Sequence, residues 1–418
     1  MNDALWLGAI ALLAAPGMIV WRVPIIAAMD RSARLALAWI AGILIAALIM
    51  YAYALACVHW SRVNIAVPLI AIAALGVRSL STPFARPRQA AALHVVFAIF
   101  LALTVYAIAD ARATCADLMY IWAPKAEAFS AARTIDVEFL KRPFYHLMHP
   151  DYPPLVPFVY DIGSIFTHRF AWHGALFLSP LILLSIAAVL RGFGASAIAA
   201  TGVFGLLSFV YVSAYLPGGA DPFLVLFESV AVIALTFAPD SREARGIAAA
   251  AIAAAAFTKV EGATFAIIIV IAFLITQRRL KAALALLLPA AALLTTWLLF
   301  VWRHKLFEQY ARAHTPMYWK QLPAVMSDVV DRASFHAWWI PWIAAIAPLF
   351  VHRAWRRAAL PLLVAAGSLA AMLFFYLHDP QPAFWIATSA DRVLVTPLMC
   401  IAIAGSVSAE PHVSSRAP

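Results

Sequence analysis

The sequence predicts an all-α polytopic membrane protein built as one transmembrane domain over residues 1–418. Three observations carry that prediction. The chain is 65% hydrophobic and only 12% charged, about half the charge share of an ordinary soluble domain. Many stretches exceed the roughly 20 apolar residues that cross a bilayer. These runs are continuous, without the alternation that marks barrel strands.

The positive balance, 30 Lys and Arg against 20 Asp and Glu, raises the question of nucleic acid. Placement answers it. The cations punctuate links between apolar runs: Arg31 and Arg34; Arg78, Arg86 and Arg88; Arg242 and Arg245; Arg278, Arg279 and Lys281; Arg353, Arg356 and Arg357. That is the positive-inside pattern of a membrane protein, so no nucleic-acid partner is expected. Cys57, Cys115 and Cys400 show neither metal spacing nor a disulfide framework. The start, "MNDALWLGAIALLAAPGMIVWR", lacks a basic leader and reads as an uncleaved anchor with its N-terminus outside.

Apolar segments at roughly 5–23, 35–57, 63–80 and 91–110 place residues 111–152 in an external loop. Within it "AARTIDVEFLKRPFYHL" suits short helices on the membrane surface. Counting back from the tail puts 379–392 outside, 353–357 inside and a second external loop at 303–336. "SREAR" and "QRRLK" are both cytoplasmic by charge, so the chain between them goes out and back, turning at "TKVEG", 258–262. The inward limb then holds about 12 residues, short of a span. Parity requires one of three segments near 154–170, 174–191 and 196–216 to be partial. "PPLVPFVYDIGSIF", with three prolines and Asp161, is the candidate, since irregular backbone at membrane depth is tolerated beside a polar cavity.

The chemistry-bearing residues fall on the same outer side. They are Asp117, Tyr120, Trp122 and Lys125 in "ADLMYIWAPKAEAF"; His149, Asp151 and Tyr152 in "HPDYPPL"; Asp221 in "GGADPF"; Lys259 and Glu261 in "TKVEG"; and Arg392 in "SADRVLVTP". Ionisable groups beside a bilayer are costly unless paired or used. Each also has a plainer reading. Asp117 and Asp221 read as helix caps, Tyr120 and Trp122 as an interfacial aromatic belt, Lys125 and Arg392 as snorkelling cations. His149 and Asp151 read as a turn before two prolines, and Lys259 with Glu261 as a self-neutralising pair. His146, His168, His173, His304, His314 and His378 lack metal-ligand spacing and read as interfacial.

The order "ADLMYIWAPKAEAF", "HPDYPPLVP", "GGADPFL", "TKVEG", "DRVLVTP" resembles the GT-C superfamily of integral-membrane glycosyltransferases over about residues 91–410. These enzymes include lipid A aminoarabinose transferase and the protein O-mannosyltransferases. The resemblance implies a bundle of about 11–13 transmembrane helices in a bacterial inner membrane. It implies a polyprenyl-phosphate-linked sugar as donor, a glycan, lipid or protein acceptor, and inverting transfer on the periplasmic or external face. Asp117 takes the general-base role; Lys125, Lys259 and Arg392 hold the donor phosphate. Tyr120, Trp122, His149, Asp151, Tyr152 and Glu261 contact substrate, and Asp221 is the ligand of a divalent cation, Mg²⁺ or Mn²⁺, if one is used. Two features depart from the pattern: Asp117 has no acidic neighbour, and three extra apolar segments precede the loop. A transporter or flippase for a lipid-linked saccharide, or a binding-only relative, is the alternative expectation.

Overall fold

The computed structural model describes residues 2–77, 116–142, 149–213, 216–307, 316–334, 339–352 and 355–408, with scattered positions between 95 and 109. The link with Arg78, Arg86 and Arg88, most of the segment at 91–110, Cys115, His146, His314, Arg353 and the tail after 408 lie outside the described residues.

The described chain is helical, with no strand among its residues. Seven stretches are long and apolar enough to cross a membrane: 3–22, 31–55, 172–192, 260–277, 280–304, 355–377 and 382–407. The pair 319–334 and 339–350, bent by 91°, makes an eighth if it is one span. The remaining apolar elements are helices of 13 to 17 residues, which is where this number and the expected 11–13 part company. The protein is a polytopic α-helical membrane protein.

In chain order the helices are α1 (Asn2–Ala11), α2 (Arg31–Leu55), α3 (Arg62–Val77), α4 (Ala123–Ala132), α5 (Leu155–Thr167), α6 (Trp172–Gly192), α7 (Ala197–Ser213) and α8 (Asp221–Phe237). They continue with α9 (Arg242–Ala256), α10 (Val260–Gln277), α11 (Leu280–His304), α12 (Leu322–Ser334), α13 (Trp339–His352), α14 (Trp355–Leu377), α15 (Pro382–Val393) and α16 (Val395–Ser408). Single helical turns fill several links.

The axle of the bundle is α8. Every residue from Asp221 to Leu235 is buried, as expected of a helix apolar on all sides. It touches α6, α9, α10, α14 and α16. Beside it α9 is alanine from Ala248 to Ala256 except at Ile252, and small side chains let helix backbones approach closely where hydrocarbon supplies no hydrophobic drive. At the periphery α11 exposes Leu284, Leu288, Leu298, Leu299 and Trp302, a surface suited to acyl chains rather than water.

Two sequence expectations are located here. The segment around Asp161 is α5, whose 13 residues reach only about 20 Å, short of the roughly 30 Å hydrocarbon core. The chain does turn at "TKVEG": α9 ends at Ala256 and α10 starts at Val260. The inward limb is longer than the expected 12 residues. It runs 18 residues, because the helix starts before Glu261 and absorbs Glu261 and Gly262. The stretch 379–392, expected as a loop, is mostly the helix α15, which packs on α12.

Gly262 makes this hairpin possible. A Cβ there would lie 1.9 Å from the carbonyl oxygen of Ala255, so the α9 and α10 backbones meet at that point. Gly246, in α9, has open space around it. Helix propensity alone favours alanine over glycine by about 1 kcal/mol. Gly246→Ala is expected to raise thermal stability in detergent. Gly262→Ala is expected to lower it by about 1–3 kcal/mol through overpacking; a stabilised Gly262→Ala protein would contradict the close approach.

Candidate functional site

Asp117, Asp221, Lys259 and Arg392 come from four distant parts of the chain, and all four line one cavity of about 590 Å³. Asp117 precedes the π-helical turn Leu118–Trp122, a geometry frequent at functional sites. Its side chain caps nothing. The carboxylate instead binds the Arg392 guanidinium. Arg392 stands in the last turn of α15, where a cation suits the helix dipole. The same guanidinium lies 3.9 Å from Oδ2 of Asp221.

Asp221 opens α8, a favourable place for an anion, and Gly218 with φ of 82° forms the turn before it. The Asp221 Oδ1 accepts a hydrogen bond of 3.1 Å from the Lys259 ammonium. Lys259 also pairs with Glu261 at 3.0 Å. Lys259 sits in the α9–α10 link, buried to 5% exposure. Burial disfavours its charge, but the carboxylates of Asp221 and Glu261 outweigh that and hold its pKa above the ordinary lysine value. A raised folded-state pKa means this contribution to stability is complete below the unfolded lysine value. It is lost only as pH rises through the folded one, on the alkaline side.

The turn before α5 is fixed to the same place. The Leu155 amide donates to the Phe257 carbonyl at 3.3 Å, joining "HPDYPPL" to the α9–α10 link. The Trp297 indole donates to the Asp151 carbonyl at 2.6 Å. His149 takes a positive φ of 53° and stacks on Tyr152 with centroids 4.2 Å apart. His149, Asp151, Tyr152 and Glu261 all line the cavity.

Three expected site residues lie elsewhere. Tyr120 is exposed and Trp122 fully buried; neither lines the cavity. Trp122 packs beside Tyr152, so an interfacial belt does not describe it. Lys125 does not reach the cavity either. Its buried ammonium donates to the His149 carbonyl and lies 5.3 Å and 5.8 Å from the Trp122 and Tyr152 ring centres. Three local partners claim this cation, and it positions the His149 turn from behind.

The sequence reading passed over Glu228, and over Tyr376, Ser389, Trp385 and Asp379 around the cavity; His378, read as interfacial, lines it too. Glu228 lies two turns along α8 from Asp221, 2% exposed, and accepts a bond from Thr396 at 2.5 Å. A lone acid inside "PFLVLFESVAVIAL" was the available signal, because intramembrane carboxyls are functional by default. Leu224, Val225, Phe265, Ile268, Met372 and Phe375 supply the apolar part of the wall.

Among the described residues no group of three or more His, Cys, Asp or Glu is arranged to hold a metal ion. The carboxylates of Asp117, Asp221 and Glu261 face Arg392 and Lys259, so a divalent ion here would first displace a protein cation. No family model matches the chain, and no curated protein or solved structure is significantly similar to it. The fold and the cavity define its class: a helical membrane protein with a cluster of ion-paired side chains inside the bundle.

Removing one member of a buried pair strands the other and costs about 3–5 kcal/mol. Lys259→Ala is therefore expected to depress the unfolding temperature in detergent strongly. Lys259→Met combined with Asp221→Leu is expected to recover much of the loss; equal loss in both variants would contradict the pairing.

Proposed function

We propose that the protein is a membrane glycosyltransferase of the GT-C type, moving a sugar from a polyprenyl-phosphate donor to an acceptor hydroxyl. The observation that carries the reading is the convergence of Asp117, Asp221, Lys259 and Arg392 on one cavity with an apolar wall. A lipid phosphate sugar has the matching parts: an anionic link, a polar ring and a hydrocarbon tail.

In this reading the phosphate lies between Lys259 and Arg392. Cations aimed at the leaving oxygen act where charge grows in the transition state, and the planar guanidinium suits two phosphate oxygens. The prenyl tail runs along Phe265, Ile268 and Met372, between α10 and α14. The acceptor oxygen attacks the anomeric carbon from the opposite side. The bond from that carbon to the phosphate oxygen breaks, and its electron pair leaves on the lipid phosphate. Asp117 takes the acceptor proton as the new bond forms, and the configuration at the sugar inverts. Asp221 holds both cations in register. Lys125, Trp122 and Tyr152 support the His149 turn. No step is routed through a divalent ion, since the carboxylates already meet protein cations. In this reading the cavity faces the external side of a bacterial inner membrane, which the cytoplasmic reading of the basic links supports.

One observation favours a second reading, transport or flipping of a lipid-linked saccharide. A charged helix break beside a buried acid, as at Lys259 and Glu228, also marks transporters.

Purified protein given a radiolabelled prenyl-phosphate sugar and a membrane acceptor fraction is expected to transfer label. Asp117→Asn is expected to lower the rate by about 10²–10⁴-fold, the usual yield of a positioned base. Transfer by Asp117→Asn at the wild-type rate would remove the proposed base. Unidirectional movement of intact donor across vesicles, with no transfer, would favour the second reading.

A further inference from the structure

The charge inventory of the cavity is lopsided. Six carboxyl groups line it (Asp117, Asp151, Asp221, Glu228, Glu261 and Asp379), against two permanent cations, Lys259 and Arg392. A lipid phosphodiester would add one more negative charge to this low-dielectric space, where like charges repel strongly. Something must offset it.

We infer that binding of an anionic lipid phosphate in this cavity takes up one proton, and that Glu228 carries it. The inference rests on the phosphate-ligand reading above and deepens it. Glu228 is singled out by its surroundings. Asp117, Asp221 and Glu261 each contact a cation. Asp379 accepts the Gln381 amide at 2.7 Å at the exposed rim, and Asp151, in the His149 turn, is only half-buried. Among the described residues Glu228 has no cation within ion-pair distance, and its one hydrogen bond comes from the Thr396 hydroxyl to Oε2. A carboxylate so placed is expensive to keep charged.

The groups facing it from each neighbouring helix decide the sign. Asp221 lies on α8 itself, and Lys259 and Glu261 lie at the start of α10. Thr396 and Cys400 lie on α16, preceded by Arg392, and Tyr211 lies on α7. Tyr376 on α14 lines the same space. A phosphate that engages Lys259 and Arg392 withdraws their positive field from the acids around them. The least compensated acid then holds a proton more tightly. Once protonated, Glu228 changes from an acceptor-only group to one with an O–H to donate.

The test uses the full chain in detergent or nanodiscs with farnesyl-phosphoglucose, a phosphodiester whose charge does not change between about pH 5 and pH 9. Calorimetry in two buffers of different ionisation heat counts protons. The expected result is proton uptake that grows with pH toward one proton per probe bound on the alkaline side, where the free protein has released the Glu228 proton that the complex keeps. Affinity is expected to fall as pH rises, with a limiting slope of about tenfold per pH unit. Glu228→Gln is expected to bind with no uptake and a flat pH profile. Binding by the wild type with no uptake at any pH overturns this inference and leaves the phosphate reading standing, as does wild-type uptake by Glu228→Gln. No binding of the probe at any pH overturns the phosphate reading and this inference with it. If Glu228→Gln does not fold, the wild-type proton count alone decides.

Discussion

The structure depends on one electrostatic constraint: charges inside a helical bundle persist only when each has a partner. Arg392 holds Asp117 and approaches Asp221, and Lys259 holds Asp221 and Glu261. This alternation links the loop before α4, the start of α8, the α9–α10 hairpin and the end of α15. The paired residues lie up to 275 positions apart in sequence, so the network fixes the relative positions of these elements. An isolated charge in such a place costs several kcal/mol.

The surrounding fold serves this placement. The apolar α8 forms a rigid axle that carries Asp221 at its start and Glu228 two turns deeper. The alanine face of α9 and the missing side chain at Gly262 let α10 turn back at once, so Lys259 stays at the mouth of the hairpin. The short α5 follows the His149 turn, and the Leu155 amide ties that turn to the α9–α10 link. A polar floor beside an apolar wall is the outcome.

Much of this was legible in the sequence. Hydropathy and basic links were sufficient for the fold class, because a helix in lipid must satisfy its own backbone. Two basic links with one excursion between them forced a turn at "TKVEG", and the parity count marked the Asp161 segment as short. The limits were equally physical. Periodicity could not tell where α10 begins, so Glu261 was read as lying in the turn rather than in the first helical turn. Lys125 looked like a site cation because it follows Asp117 by eight positions. A neighbouring carbonyl and two aromatic rings hold it instead, and those contacts belong to tertiary packing. Glu228 was hidden in an apolar run whose average hydropathy swamped the one acid.

The convergence itself is most directly measured by cross-linking. With Cys57, Cys115 and Cys400 replaced by serine, the pair Asp117→Cys and Arg392→Cys is treated in intact membranes with a bifunctional thiol cross-linker about as long as the arginine side chain it replaces. The account predicts an intramolecular cross-link in most molecules, because the Arg392 side chain reaches the Asp117 carboxylate. Its absence, with both thiols reacting freely with a small maleimide from opposite sides of the bilayer, would contradict it.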